Sequence, residues 1–189
     1  MIDYFIEQDY LISTLELFAG DMFYDDLFFD IIDIVYKYYK WVYDIHPEFI
    51  QWHNAKTENK HNPAIVVPCN MSFCKDDNKI EKVKYYYNLL KEIGVTLYFS
   101  YSTDGKYATD IREHEEVPDE FFHKVFKFCE EMDWGVHPMV SYESIDNIID
   151  NYEWFKAVFR QYRLNNGSGL PYFLEVRNDG WNEESLKKY

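Results

Sequence analysis

The chain has 189 residues, 47% of them hydrophobic and 20% aromatic, which suits one domain with a sizeable core. Nineteen Lys and Arg against 34 Asp and Glu leave a formal net charge of -15, which repels phosphate backbones and anionic membrane surfaces, so nucleic acid is not an expected partner. Three cysteines, Cys69, Cys74 and Cys129, are an odd number with no secretory leader pattern, and no apolar stretch approaches the roughly 20 residues of a membrane span. A reducing cytoplasm is the expected setting.

In chain order, residues 1–9 read as the last turns of a helix, and Leu15 to Phe18 as a strand ending in Ala19-Gly20-Asp21. A helix is expected over about residues 26–43, with Asp25 or Asp26 accepting from its free amides as N-cap. Residues 44–63, rich in His, Asn and Pro, read as a long irregular surface connection. A second strand run, Ile65 to Asn70, precedes a helix whose apolar face is Ile80, Val83, Tyr87, Leu90 and Ile93, with Gly94 taking the left-handed end position.

A third strand from Val95 runs into Ser102-Thr103-Asp104-Gly105. The helix after Pro118-Asp119 carries Phe122, Val125, Phe126, Cys129 and Met132 on one stripe, with Gly135 as its expected terminator and Cys129 as a core thiol. A fourth strand, Val136 to Ser141, leads to a helix from about Asp146 that turns Ile148, Ile149, Tyr152, Phe155 and Phe159 inward. Residues 165–169 break it, a fifth strand spans Tyr172 to Asn178, and Asn182 opens a last short helix.

Five strand-then-helix units predict an α/β fold with parallel strands, and parallel β-α sheets place ligands outside the carboxyl ends of their strands. The strands alternate: Leu97, Phe99 and Tyr101 share one side, Tyr98, Ser100 and Ser102 the other, and the first, fourth and fifth strands behave likewise. If the sheet curls, its polar side lines a cavity in which Glu16, Glu175 and Arg177 need partners or a ligand; an open sheet leaves that side in water. Five such units favour a partial (β/α) TIM-type barrel of about five parallel strands with helices outside, a single domain over residues 1–189 that is incomplete at both ends.

The corners Leu15-Glu-Leu-Phe-Ala-Gly-Asp21, Ser102-Thr-Asp-Gly105 with Asp110-Ile-Arg112, and Val136-His-Pro-Met-Val-Ser141 with Asn151-Tyr-Glu-Trp154 together resemble the radical SAM superfamily, especially its peptide- and protein-modifying, SPASM-like branch. In that family a strand ending in Gly-Gly-Glu meets the amino group of S-adenosylmethionine, which corresponds to Ala19, Gly20 and Asp21 here. A Ser-x-Asp-Gly strand end and a following Arg hold the cofactor's ribose and carboxylate region, corresponding to Ser102 and Arg112. The chemistry suits a zwitterion, since a carboxylate can meet an ammonium and a guanidinium can pair bidentately with a carboxylate.

The resemblance implies S-adenosylmethionine and a 4Fe-4S cluster as cofactors of a full-length form, an electron donor, and radical hydrogen abstraction from a peptide or protein. The family's Cys-x3-Cys-x2-Cys triad is absent from this sequence, so no metal ligand is assigned and the chain alone is expected to be inactive. The simplest reconciliation is a truncated enzyme whose first residue lies downstream of the cluster loop. A cluster-free, barrel-derived binding or scaffold protein is the alternative, and a metabolic enzyme using Glu16, Glu175 and His137 is a third reading. Each candidate also has a plainer role: Asp21 as a helix cap, residues 102–105 as an ordinary turn, Arg112 as a surface ion pair, His137 as a hydrogen-bonded core histidine.

Overall fold

The computed structural model describes residues 2–18, 22–23, 25–56, 63–107, 118–140, 144–164, 175–176 and 182–188. The chain forms two compact units, Met1–Phe99 and Ser100–Tyr189. The first contains α1 (Ile2–Glu7), β1 (Thr14–Glu16), α2 (Leu27–Ile45), α3 (Pro47–Lys56), β2 (Ala64–Pro68), a 3-10 turn at Ser72–Lys75, α4 (Asp77–Glu92) and the start of β3 (Thr96–Thr103). The second contains the end of β3, α5 (Asp119–Met132), β4 (Val136–Val140), a 3-10 turn at Ile145–Asn147, α6 (Ile148–Gln161), β5 (Glu175–Val176) and α7 (Glu183–Lys188).

The expected α/β order with parallel strands is present. In the first unit β1 pairs parallel with β2, Thr14 opposite Ala64 and Glu16 opposite Val66, and the Thr96 amide reaches the Pro63 carbonyl at 2.9 Å to bring β3 alongside. In the second, β3 pairs parallel with β4, and β4 with β5. The alternation within β3 also holds: Leu97, Phe99, Tyr101 and Thr103 are buried, while Thr96, Tyr98, Ser100 and Ser102 are half-buried.

The first unit packs around Phe23, Phe28, Phe73 and Phe99, with ring centroids from 4.5 Å (Phe23 to Phe28) to 5.8 Å (Phe23 to Phe99). Helix α2 contributes Phe28, Ile32, Val35, Tyr38, Tyr39 and Val42, spaced by three or four along most of one stripe. In the second unit α5 buries Phe122, Val125, Phe126 and Cys129, so the core-thiol reading of Cys129 stands.

Four local expectations are corrected. Asp26 is not a side-chain N-cap: its backbone is left-handed (φ 58°), its carboxylate goes to Lys79 at 2.7 Å, and the Met22 carbonyl takes the Phe28 amide at 3.0 Å instead. Residues 44–63 are not all irregular, because Pro47 opens α3 at the position where its missing N–H does no harm. That helix seats Ile50 in the core.

Asp133, not Gly135, ends α5, with φ 55° and the Trp134 amide bonded to the Cys129 carbonyl at 2.9 Å. Trp134 turns inward there against Phe128, 5.2 Å between centroids, and this packing fixes where the helix stops. Ile149 faces out at 72% exposure. At about 100° per residue Ile149 falls off the buried stripe of α6, which is Asn151, Phe155, Val158 and Phe159. Gly94 does take the left-handed position, φ +76°.

Candidate functional site at the carboxyl end of β3

Among the residues singled out from sequence, Ser102 is described, whereas Ala19, Gly20, Asp21 and Arg112 lie outside the described residues, as does Arg177. Ser102 stands at the carboxyl end of β3, directly opposite His137 of β4 in the parallel register. Residues in register on neighbouring strands share a face, so Ser102 and His137 lie side by side on the half-buried face. Two residues further along β4, Met139 is in register with Glu175 of β5. Glu16 belongs to the first unit and is exposed.

Beyond Ser102 the chain turns sharply. Thr103 and Asp104 are each 2% exposed, and the Thr103 hydroxyl accepts from the Gly105 amide at 3.2 Å, a side-chain turn of the kind Ser and Thr favour. Gly105 has φ +93°, and a Cβ there would lie 2.6 Å from Asn151 Oδ1 and 2.9 Å from Phe155 Cε2. Only glycine suits both the backbone angle and the space.

Two asparagines one helical turn apart then take hold of Tyr107. Asn151 Oδ1 accepts from the Tyr107 amide at 2.9 Å, and Asn147 Nδ2 donates to the Tyr107 carbonyl at 2.8 Å. Lys106, between them and the strand, pairs with Asp119 at the start of α5 at 2.5 Å. The pair raises the Lys106 pKa, chiefly through the hydrogen bond to Asp119.

In the sequence Asn151 stands in the Asn151-Tyr-Glu-Trp154 segment without an assigned role, and Asn147 stands in no motif. The available signal was polarity: an asparagine in a helix stripe otherwise made of Phe and Val must find a hydrogen-bond partner.

In the first unit the segment after β1 has its own anchor. Lys79 of α4 donates to the Phe23 carbonyl at 2.7 Å and pairs with Asp26.

The three cysteines lack the Cys-x3-Cys-x2-Cys spacing of a three-thiolate cluster. Cys74 and Cys129 are buried, each within its own unit, and Cys69, half-buried just past β2, accepts the Met71 amide at 3.4 Å. Among the described residues no three His, Cys, Asp or Glu side chains group as a metal site, and no helix is long and apolar enough to cross a membrane. No protein-family model matches the chain, and neither a curated protein nor a solved structure matches it.

Proposed function

We propose that the chain is a radical SAM-type α/β protein, with helices outside a partial barrel of parallel strands, and that the end of β3 meets polar groups of S-adenosylmethionine. The observation that carries this reading is the position of Ser102-Thr103-Asp104-Gly105 at the carboxyl end of a parallel strand, where ligands of such sheets bind. Ser102 offers a hydroxyl on the half-buried face beside His137. A hydroxyl there suits a ribose or carboxylate oxygen as donor or acceptor.

Cleavage of that cofactor is not assigned to this chain, because its three cysteines do not make the donor set that a cluster needs. Binding without a cluster is weak on this reading. Titration of the isotopically labelled chain with S-adenosylmethionine, followed by amide NMR, is expected to move Ser102 and its neighbours, and Ser102→Ala to abolish those shifts. Iron and sulfide reconstitution is expected to give no cluster absorption. Unmoved β3-corner amides would overturn the proposal, and a stable cluster would overturn the statement that this chain alone does not cleave the cofactor.

A second reading, a cluster-free binding or scaffold protein, is favoured by the exposed aromatics of the first unit, Tyr4, Tyr10 and Phe18, the last 75% exposed. On either reading the partner in view is a peptide or protein.

A further inference from the structure

We infer that Asn147 and Asn151 are a positioning pair that locks the β3 corner into its ligand-facing shape; the inference rests on the reading of that corner as a binding rim. The two side chains address one residue from both sides. Asn151 takes the Tyr107 N–H and Asn147 gives to the Tyr107 C=O, so a loop residue receives both hydrogen bonds that a neighbouring strand would supply.

The grip is tight because Asn151 is 2% exposed and its oxygen sits only 2.6 Å from where a Gly105 Cβ would be. Gly105 and Tyr107 are therefore fixed by the same amide group, one by close approach and one by a hydrogen bond. Thr103 completes the turn from the strand side. Ser102 precedes this turn by one residue, so the direction in which the strand end points follows from where α6 holds Tyr107.

The two asparagines have opposite chemical roles, which gives the test its discrimination. Asn151 acts as an acceptor, so Asn151→Asp keeps the oxygen that Tyr107 needs. Asn147 acts as a donor, so Asn147→Asp replaces it with an oxygen facing the Tyr107 carbonyl. Asn147 is exposed, so its variants are expected to fold even where Asn151→Ala does not.

Amide exchange by NMR on the full chain reads the clamp without any ligand. Expected are roughly tenfold faster exchange at Tyr107 in Asn151→Ala, near wild-type exchange in Asn151→Asp, and opening in both Asn147→Ala and Asn147→Asp. Titration with S-adenosylmethionine is expected to weaken about tenfold wherever the clamp opens and to recover in Asn151→Asp.

The same response to Asp at both positions, or unchanged Tyr107 exchange in Asn147→Asp, would overturn the inference. A wild-type corner that ignores S-adenosylmethionine while the exchange pattern holds would remove the functional reading and the ligand-facing part of the inference, leaving the clamp itself established.

Discussion

Lys79 Nζ lies 2.7 Å from the carbonyl oxygen of Phe23, 56 residues earlier in the chain, and 2.7 Å from Asp26 Oδ1. One ammonium thus ties α4 to the segment between β1 and α2. Replacing it removes a charged donor from a carbonyl whose own ring is buried in the phenylalanine core. Lys79→Met is expected to lower stability by about 1–2 kcal/mol, read from the urea midpoint near neutral pH, with Lys79→Arg losing less.

The same pair sets an acid response. Lys79's hydrogen bond holds the Asp26 pKa below its ordinary 3.8, outweighing the opposing effect of burial. A carboxyl whose pKa is lower in the folded state contributes stability above pH 3.8 and loses it as the pH falls through the folded value. Asp26→Asn is expected to flatten acid unfolding in that window, and an unchanged acid limb would refute it.

At high pH the buried phenols of Tyr38 and Tyr39 contribute to the response. Burial raises both phenol pKa values, against a smaller opposing effect of the Ile12 backbone at Tyr38, and Tyr39 is the more strongly shifted. A raised folded pKa means the contribution is complete below the ordinary value of 10.0 and is lost as the pH rises through the folded value. Tyr39→Phe is expected to weaken the alkaline loss of stability, measured by thermal melts across that range. It sacrifices one 3.2 Å hydrogen bond to the Ile12 carbonyl in exchange.

Two glycines allow a ranked prediction. Gly105→Ala combines φ +93° with contacts to the well-packed Asn151 and Phe155, and is expected to destabilise by about 2–4 kcal/mol. Gly94→Ala has φ +76° but meets the Ile50 Cγ2 tip at 2.8 Å and the Asn54 amide at 3.2 Å, both side-chain atoms, so about 1–2 kcal/mol is expected. Equal losses in denaturant titrations would contradict the ranking.

Phe73, fully buried, packs at a tilt with its ring centroid 4.6 Å from that of Phe23 and 5.4 Å from that of Phe99. Phe73→Ala is expected to lose about 3–5 kcal/mol, with Phe73→Leu losing much less, by calorimetric or denaturant unfolding.

The α/β order was legible because apolar periodicity switches from two to about 3.6 at each strand-helix boundary, as in the passage from β3 to α5. Helix ends were less legible. Asp26 looked like a cap by type, but Lys79, distant in sequence, claimed its carboxylate; Gly135 looked like a terminator, but the burial of Trp134 set the end two residues earlier. At the candidate site the strand-end motif could be read locally, whereas the Asn147 and Asn151 contacts join residues 40 and 44 apart and leave only an odd polar residue in an apolar stripe as their trace.

Tyr38 and Tyr39 hold a residue of the first unit in the same way. The Tyr38 hydroxyl accepts from the Ile12 amide at 2.9 Å and donates to the Tyr10 carbonyl at 2.7 Å, while Tyr39 donates to Ile12's own carbonyl. Just before β1, then, a phenol pair does for Ile12 what an amide pair does for Tyr107 just after β3. The conformations of these loops are written largely in α2 and in α6 with the 3-10 turn that precedes it. A designer who wished to re-aim either loop should begin by changing the helix and leave the loop sequence alone.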